Sequence, residues 1–215
     1  MKKRFVIAIV FCILIAGCTD TQNRCTGVYM LLDTSGTYAV ELKKAQKILN
    51  YLLGVLAPGD SLAVARIDTG SFSEKDIIAK ITFDDRPSVA NNQKRAFMEQ
   101  VDTFVKSVKG SPYTDISGGI LQAIEYLNEA GPGEKYILVF SDLKEELAKG
   151  YKRDLPFQLP DFNVIALNVT KLRGDNIDPK EYMARVEDWR GKVEKGGGDW
   201  GMINDLERLD NIFAN

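Results

Sequence analysis

Val28-Tyr29-Met30-Leu31-Leu32 followed by Asp33-Thr34-Ser35-Gly36-Thr37 is the stretch on which the reading of the chain turns. A short, wholly apolar run is the pattern of a central parallel strand buried on both faces. The five residues after it precede a long helical pattern, so they sit where a strand hands over to a helix. One carboxylate and two hydroxyls at alternate positions, Asp33, Ser35 and Thr37, form a cluster of hard oxygen ligands of the kind Mg²⁺ or Mn²⁺ prefers. The spacing is short enough to arise by chance, so its weight depends on whether oxygen ligands also appear at the ends of other strands.

Downstream, helical and strand patterns alternate. A helix over 38–56 places Leu42, Ala45, Leu49, Leu52 and Leu56 on one stripe, and Ala57-Pro58-Gly59-Asp60 ends it. Residues 62–67 read as the next strand, with Asp68-Thr69-Gly70-Ser71 as the loop beyond. Residues 77–83 alternate, with Ile77, Ala79, Ile81 and Phe83 facing one way, which predicts an antiparallel edge strand. Phe97, Val101, Phe104, Val105 and Val108 mark a second helix. Ile120, Ala123, Ile124 and Leu127 mark a third, preceded by Tyr113-Thr114-Asp115 and capped at Ser117. The apolar run 136–140 leads into Ser141-Asp142, and 163–169 is the last clear strand. Two helical patterns close the chain, over 179–192 and 203–213. Gly196-Gly197-Gly198 forms a flexible break between them, flanked by Trp189 and Trp200.

Strands alternating with helices predict an α/β fold: a three-layer, doubly wound, Rossmann-like arrangement with a mostly parallel central sheet and one antiparallel edge strand. In such sheets ligands bind beyond the carboxyl ends of the strands, where the winding direction switches. Asp33, Asp68 and Asp142 each follow a strand's carboxyl end, and Thr114-Asp115 precedes a helix on the same side. The oxygen-rich positions are thus expected to converge.

At these residues the chain resembles a von Willebrand factor A domain. The resemblance is carried by Asp33-Thr34-Ser35-Gly36-Thr37 after the first strand, Tyr113-Thr114-Asp115 before a helix, and Phe140-Ser141-Asp142 after the fourth strand. Their order and separations match the three loops of that family's metal-ion-dependent adhesion site, and the match covers residues 27–169 best. It implies Mg²⁺ or Mn²⁺ held directly by Ser35, Thr37 and Thr114, with Asp33 and Asp142 in supporting or water-mediated roles. Asp115 is assigned to shaping its loop, and Asp68 to an accessory polar patch at most. The open coordination position would be filled by an acidic side chain of a protein partner, because neutral hydroxyl ligands leave the cation electrophilic. Two positions depart from the family pattern. Thr37 keeps the hydroxyl of the usual serine, but Leu143 stands where the family has glycine after the aspartate, which predicts a different path for the third loop.

The N-terminus reads as an export signal, with Lys2, Lys3 and Arg4 before an uncharged apolar run over 5–16. That run is too short to span a bilayer comfortably as a permanent helix. Ile15-Ala16-Gly17-Cys18 resembles the lipobox of bacterial lipoproteins, which implies cleavage after residue 17 and acylation of Cys18. Thr19 follows Cys18, so by resemblance to the sorting rule of double-membraned bacteria the expected place is the outer membrane, facing the periplasm; with a single membrane the domain would face outward. Residues 18–26 then form a lipidated tether and 27–215 one domain, long enough for a substantial core.

Composition narrows the function. The chain has 28 basic and 30 acidic residues. Removal of residues 1–17 would leave 25 against 30, a formal charge of −5. No basic run stands out, which argues against a nucleic-acid partner. The mature chain would hold one thiol besides the acylated one, Cys25, and no intramolecular disulfide. The sequence contains no histidine, so no Ser-His-Asp or Cys-His pair and no ordinary His-ligated zinc site can form. The expected function is a membrane-anchored binding module and not an enzyme. A metal-free scaffold of the same fold is the second expectation. A haloacid-dehalogenase-like phosphatase using Asp33 as nucleophile is disfavoured, because its second aspartate would stand where Ser35 is.

Overall fold

The computed structural model describes residues 25–36, 38–69, 72–153 and 155–213. Thr37, Ser71, Cys12, Cys18 and the signal-like segment 1–17 lie outside the described residues. Six strands form one sheet: β1 (Thr26–Leu32), β2 (Ser61–Arg66), β3 (Ile77–Thr82), β4 (Glu134–Phe140), β5 (Phe162–Leu167) and β6 (Asp199–Ile203). Their order is β3-β2-β1-β4-β5-β6, parallel throughout except for the antiparallel pair β2 and β3. The helices are α1 (Leu42–Val55), α2 (Pro87–Ser107), α3 (Ile116–Ala130) and α4 (Pro179–Lys195). Among the described residues no helix is long and apolar enough to cross a membrane.

Period-2 alternation along β1 divides the core. Val28, Met30 and Leu32 join Leu49 and Leu52 of α1 and Phe97 and Val101 of α2 on one face. Tyr29 and Leu31 join Ile120 and Leu127 of α3 and Val186 and Trp189 of α4 on the other. Both faces of β1 are covered, which is why its apolar run is uninterrupted. The chain winds from β1 outward to β3, then returns to place β4 on β1's other side, so β1 and β4 flank the switch point.

Four local expectations are corrected. The stretch 203–213 is not an α-helix: Ile203 ends β6, and a 3-10 helix, Leu206–Ile212, follows. Gly196-Gly197-Gly198 is a tight turn into β6, with Leu159 N–H donating to the Gly196 carbonyl at 2.8 Å. Ile77 does not share a face with Ala79, because the register shifts between Val64 and Ala65. That bulge sends Ile77 to the α3 side while Ala79 and Phe83 stay on the α1 side. The N-cap of α3 is Asp115, not Ser117, which lies in the first turn with its hydroxyl on Glu145 at 3.1 Å.

Candidate metal site

Three loops leave the carboxyl edge of the sheet at the switch point and bond to one another. The first follows β1, where Asp33 N–H continues the ladder by donating to the Phe140 carbonyl at 2.9 Å. Asp33 Oδ1 accepts from Ser35 N–H at 2.9 Å, the short-range turn typical of aspartate. Its Oδ2 accepts from Ser141 Oγ at 2.7 Å, tying the first loop to the third. Gly36 N–H donates to the Ser111 carbonyl at 2.9 Å, tying the first loop to the second. A Cβ on Gly110 would lie 2.8 Å from the Gly36 Cα, so that approach requires a glycine. Thr114 and Glu146 exchange both backbone bonds, at 2.8 and 2.9 Å, tying the second loop to the third. The triangle is closed.

Within it, Asp33, Ser35, Thr114 and Asp142 are all buried. Asp33 is 0% exposed and has no basic side chain among its bonded partners in the described residues. Burial pushes its carboxyl up to about 6, opposed by the hydrogen bonds of Ser141 and Ser35 and reinforced by the charge of Asp142. Burial also raises Asp142, against the pull of the Lys144 N–H and the charges of Arg185 and Lys144. Thr34 Oγ1 is buried without a hydrogen-bond partner among the described residues. Two carboxylates under desolvation, buried hydroxyls and no resident cationic group bonded to Asp33 are a donor set that fits a hard divalent cation. Carboxylates alone would not suffice: among the described residues no three His, Cys, Asp or Glu side chains gather as a metal site.

The third loop takes the conformation a glycine would ordinarily supply. Leu143 has φ +65°, the left-handed region, although it carries a side chain. Such a residue costs about 1–2 kcal/mol, offset here by its surroundings. Its side chain is buried, its N–H donates to Ser141 Oγ at 3.1 Å, and its carbonyl accepts from Trp189 Nε1 at 2.9 Å. Arg185, one turn before Trp189 on α4, donates from Nε to the Asp142 carbonyl at 2.8 Å. The Arg185 guanidinium is in turn held by Asp175, with bonds of 3.2 and 2.7 Å to its two carboxylate oxygens. The missing glycine is thus answered by packing against α4.

Asp115 has partners of its own, and Asp68 has few. Asp115 accepts from Gly118 N–H at 2.8 Å, Phe72 N–H at 2.7 Å and the Arg153 guanidinium at 2.8 Å, so it caps α3 and staples two loops. Asp68 is buried; among the described residues its Oδ1 has no hydrogen bond and lies 3.6 Å from Arg66 Nε. Ser73 is not its partner, because both the N–H and the hydroxyl of Ser73 turn to Asp76. In the sequence Ser141 stands in the third motif without an assigned role, and neither Arg185 nor Glu145 is singled out. Ser141 had a signal, its place before Asp142 in the third motif, and Arg185 had a weaker one, the four-residue spacing to Trp189 that puts both on one helix face. Glu145 had none.

No protein-family model matches the sequence, and no curated protein is a match to it. Solved structures are similar in fold. One is a von Willebrand factor type A protein from Catenulispora acidiphila, 15% identical, with TM-score 0.57 over 88% of this chain and 41% of that one. Another is the pilus adhesin SpaC from Lactobacillus rhamnosus GG in its open conformation, 9% identical, with TM-score 0.51 over 87% of this chain and 29% of that one. This chain therefore spans less than half the length of either. The likeness is one of fold, the von Willebrand factor A architecture.

Proposed function

We propose that this domain is a binding module that engages a protein partner through a divalent cation, Mg²⁺ or Mn²⁺. Ser35, Thr37 and Thr114 would supply hydroxyl ligands, Asp33 and Asp142 would act in supporting or water-mediated roles, and an acidic side chain of the partner would complete the shell. The observation that carries the reading is Asp33: a fully buried carboxylate at the switch point with no basic side chain bonded to it among the described residues. A cation at that point would cancel a charge the fold leaves uncancelled. Acylation at Cys18 would hold the module at a membrane facing away from the cytoplasm, and the reading is of a binding protein, not an enzyme. One observation favours the metal-free alternative: each Asp33 oxygen already accepts one hydrogen bond.

The test uses the full-length protein in neutral detergent, with Mg²⁺ or Mn²⁺ titrated against melting temperature. Binding to the folded state alone stabilises by about 2.7 kcal/mol at a hundred times Kd. A rise for the native sequence that disappears in Ser35→Ala/Thr37→Ala supports the site. An unmoved melting temperature, or an equal rise in the double variant, removes it.

A further inference from the structure

We infer that the partner presents an acidic peptide segment, not a lone carboxylate, and that the segment lies in a trough beside Asp142 where Lys144, Lys171 and Arg173 receive its flanking acidic side chains. The inference rests in part on the cation reading, which it extends to the surface around the bound carboxylate. An open cavity of about 800 Å³ adjoins the site, lined by Asp142 and Lys144 of the third loop, by the loop after β5 and by Tyr38. A single carboxylate needs far less room; this volume is of the size that holds a ligand of several residues' bulk.

Charge then selects the occupant. The chain as a whole carries more acidic than basic residues, yet the cavity beside Asp142 is lined by three basic side chains against two acidic ones, Asp142 and Glu181. Lys171 and Arg173 are exposed, and neither forms an ion pair within 4.0 Å among the described residues. Lys144 is paired with Glu146 at 2.8 Å, but both side chains are about half exposed, so the pair is readily exchanged. Two further cationic contacts are already spent: Arg185 is committed to Asp175 and the Asp142 carbonyl. What remains available is Lys171 and Arg173, with Lys144 exchangeable, against Asp142 and Glu181, an excess of one basic side chain. A flat anionic bilayer could meet Lys171 and Arg173 at the surface but would not fill the cavity of about 800 Å³ between them and Asp142, which a peptide segment can enter. Arginine and lysine here would act on the partner's carboxylates through charge-assisted hydrogen bonds.

The experiment uses full-length protein in neutral detergent and a fluorescein-labelled nine-residue peptide carrying three aspartates, alongside its asparagine counterpart, followed by anisotropy in Mg²⁺ and in chelator. Expected is binding of the aspartate peptide at least about tenfold tighter than the asparagine one, weakened about tenfold or more in Lys171→Glu/Arg173→Glu. A rise in melting temperature with Mg²⁺ alone should persist in the variant, at least as large as in the native sequence because the reversed charges attract the cation, which also shows that the variant is folded. Equal peptide affinity in the variant overturns the trough. So does a Mg²⁺ response with no preference between the two peptides, which leaves the cation site standing without it. Preference for phosphatidylglycerol vesicles with no peptide binding overturns it as well. Peptide binding that persists in chelator, is lost in the variant and accompanies no Mg²⁺ response keeps the trough and removes the cation reading.

Discussion

Asp33 and Asp115 are both 0% exposed, both stand where a loop meets the carboxyl edge of the same sheet, and both accept backbone hydrogen bonds. They differ in what answers their charge. Asp115 meets the Arg153 guanidinium through three hydrogen bonds, between 2.8 and 3.2 Å, and its two amide donors complete the set. Asp33 meets one amide and one hydroxyl, and burial lifts its carboxyl to about 6. The first carboxylate is finished by the fold and holds it together. The second is left short of a positive charge, and it is on that shortage, more than on the presence of an aspartate, that the proposed cation site rests.

Removing Arg153 breaks this contrast most sharply. In Arg153→Met, Asp115 would become, like Asp33, a buried carboxylate without a basic partner, and the loss of one partner of such a pair costs about 3–5 kcal/mol. The Arg153 side chain is 21% exposed, which places the expected value toward the lower end. Urea unfolding at pH 7 measures it, and a change under about 1 kcal/mol would refute the structural role assigned to Asp115.

The pH dependence of the metal-free protein sharpens the other side. The folded-state pKa of Asp33 lies above its ordinary value of 3.8, so the folded protein holds this proton more tightly than the unfolded chain. Its contribution is therefore fully present below about pH 4, falls as pH rises through about 6, and amounts to about 3 kcal/mol in all. In Asp33→Asn that part of the slope should vanish. Unfolding free energies in chelator at pH 4, 5, 6 and 7 for both proteins decide the matter, and identical slopes would mean that Asp33 is not the group under strain.

The convergence behind the comparison was legible in the sequence because it depends on strong signals. Residues 28–32 and 136–140 are apolar without interruption, as strands buried on both faces must be, and a parallel sheet sends the residues after them to one edge. What was not legible depended on weaker or longer-range signals. In β6, Asp199-Trp200-Gly201-Met202-Ile203, no residue is fully buried, so an edge strand leaves a pattern that a helix could also produce. The bulge beside Ile77 shifts the register by one residue, which simple alternation along 77–83 does not report. The partner of Asp115 is 38 residues away in a stretch without periodicity, and nothing at Arg153 announces it. Leu143 gave the opposite lesson: the absent glycine was visible, but the packing that lets a leucine take φ +65° was not.

Leu143 also yields a test of how the Asp33 side is held. Leu143→Gly relieves about 1–2 kcal/mol of backbone strain while deleting a buried leucine side chain, a loss of about 2–5 kcal/mol with its cavity. A net destabilisation of about 1–3 kcal/mol follows, and a stabilised variant would mean that strain, not packing, dominates the third loop.

The smallest expected effect reaches Asp33 through two intermediaries. Trp189 donates to the Leu143 carbonyl, Leu143 N–H donates to Ser141 Oγ, and Ser141 Oγ donates to Asp33. Trp189→Phe keeps most of the buried ring but leaves the carbonyl without its donor, a loss of about 1 kcal/mol. If the third loop is one unit from α4 to Asp33, this loss should not add to that of Ser141→Ala. Once the serine is gone, the indole holds a loop that no longer supports the carboxylate. A double-mutant cycle by urea unfolding should give a coupling of about 0.5 kcal/mol or more. Strict additivity would show that α4 stabilises the loop without steadying Asp33, and the two carboxylates would then differ only in their immediate partners.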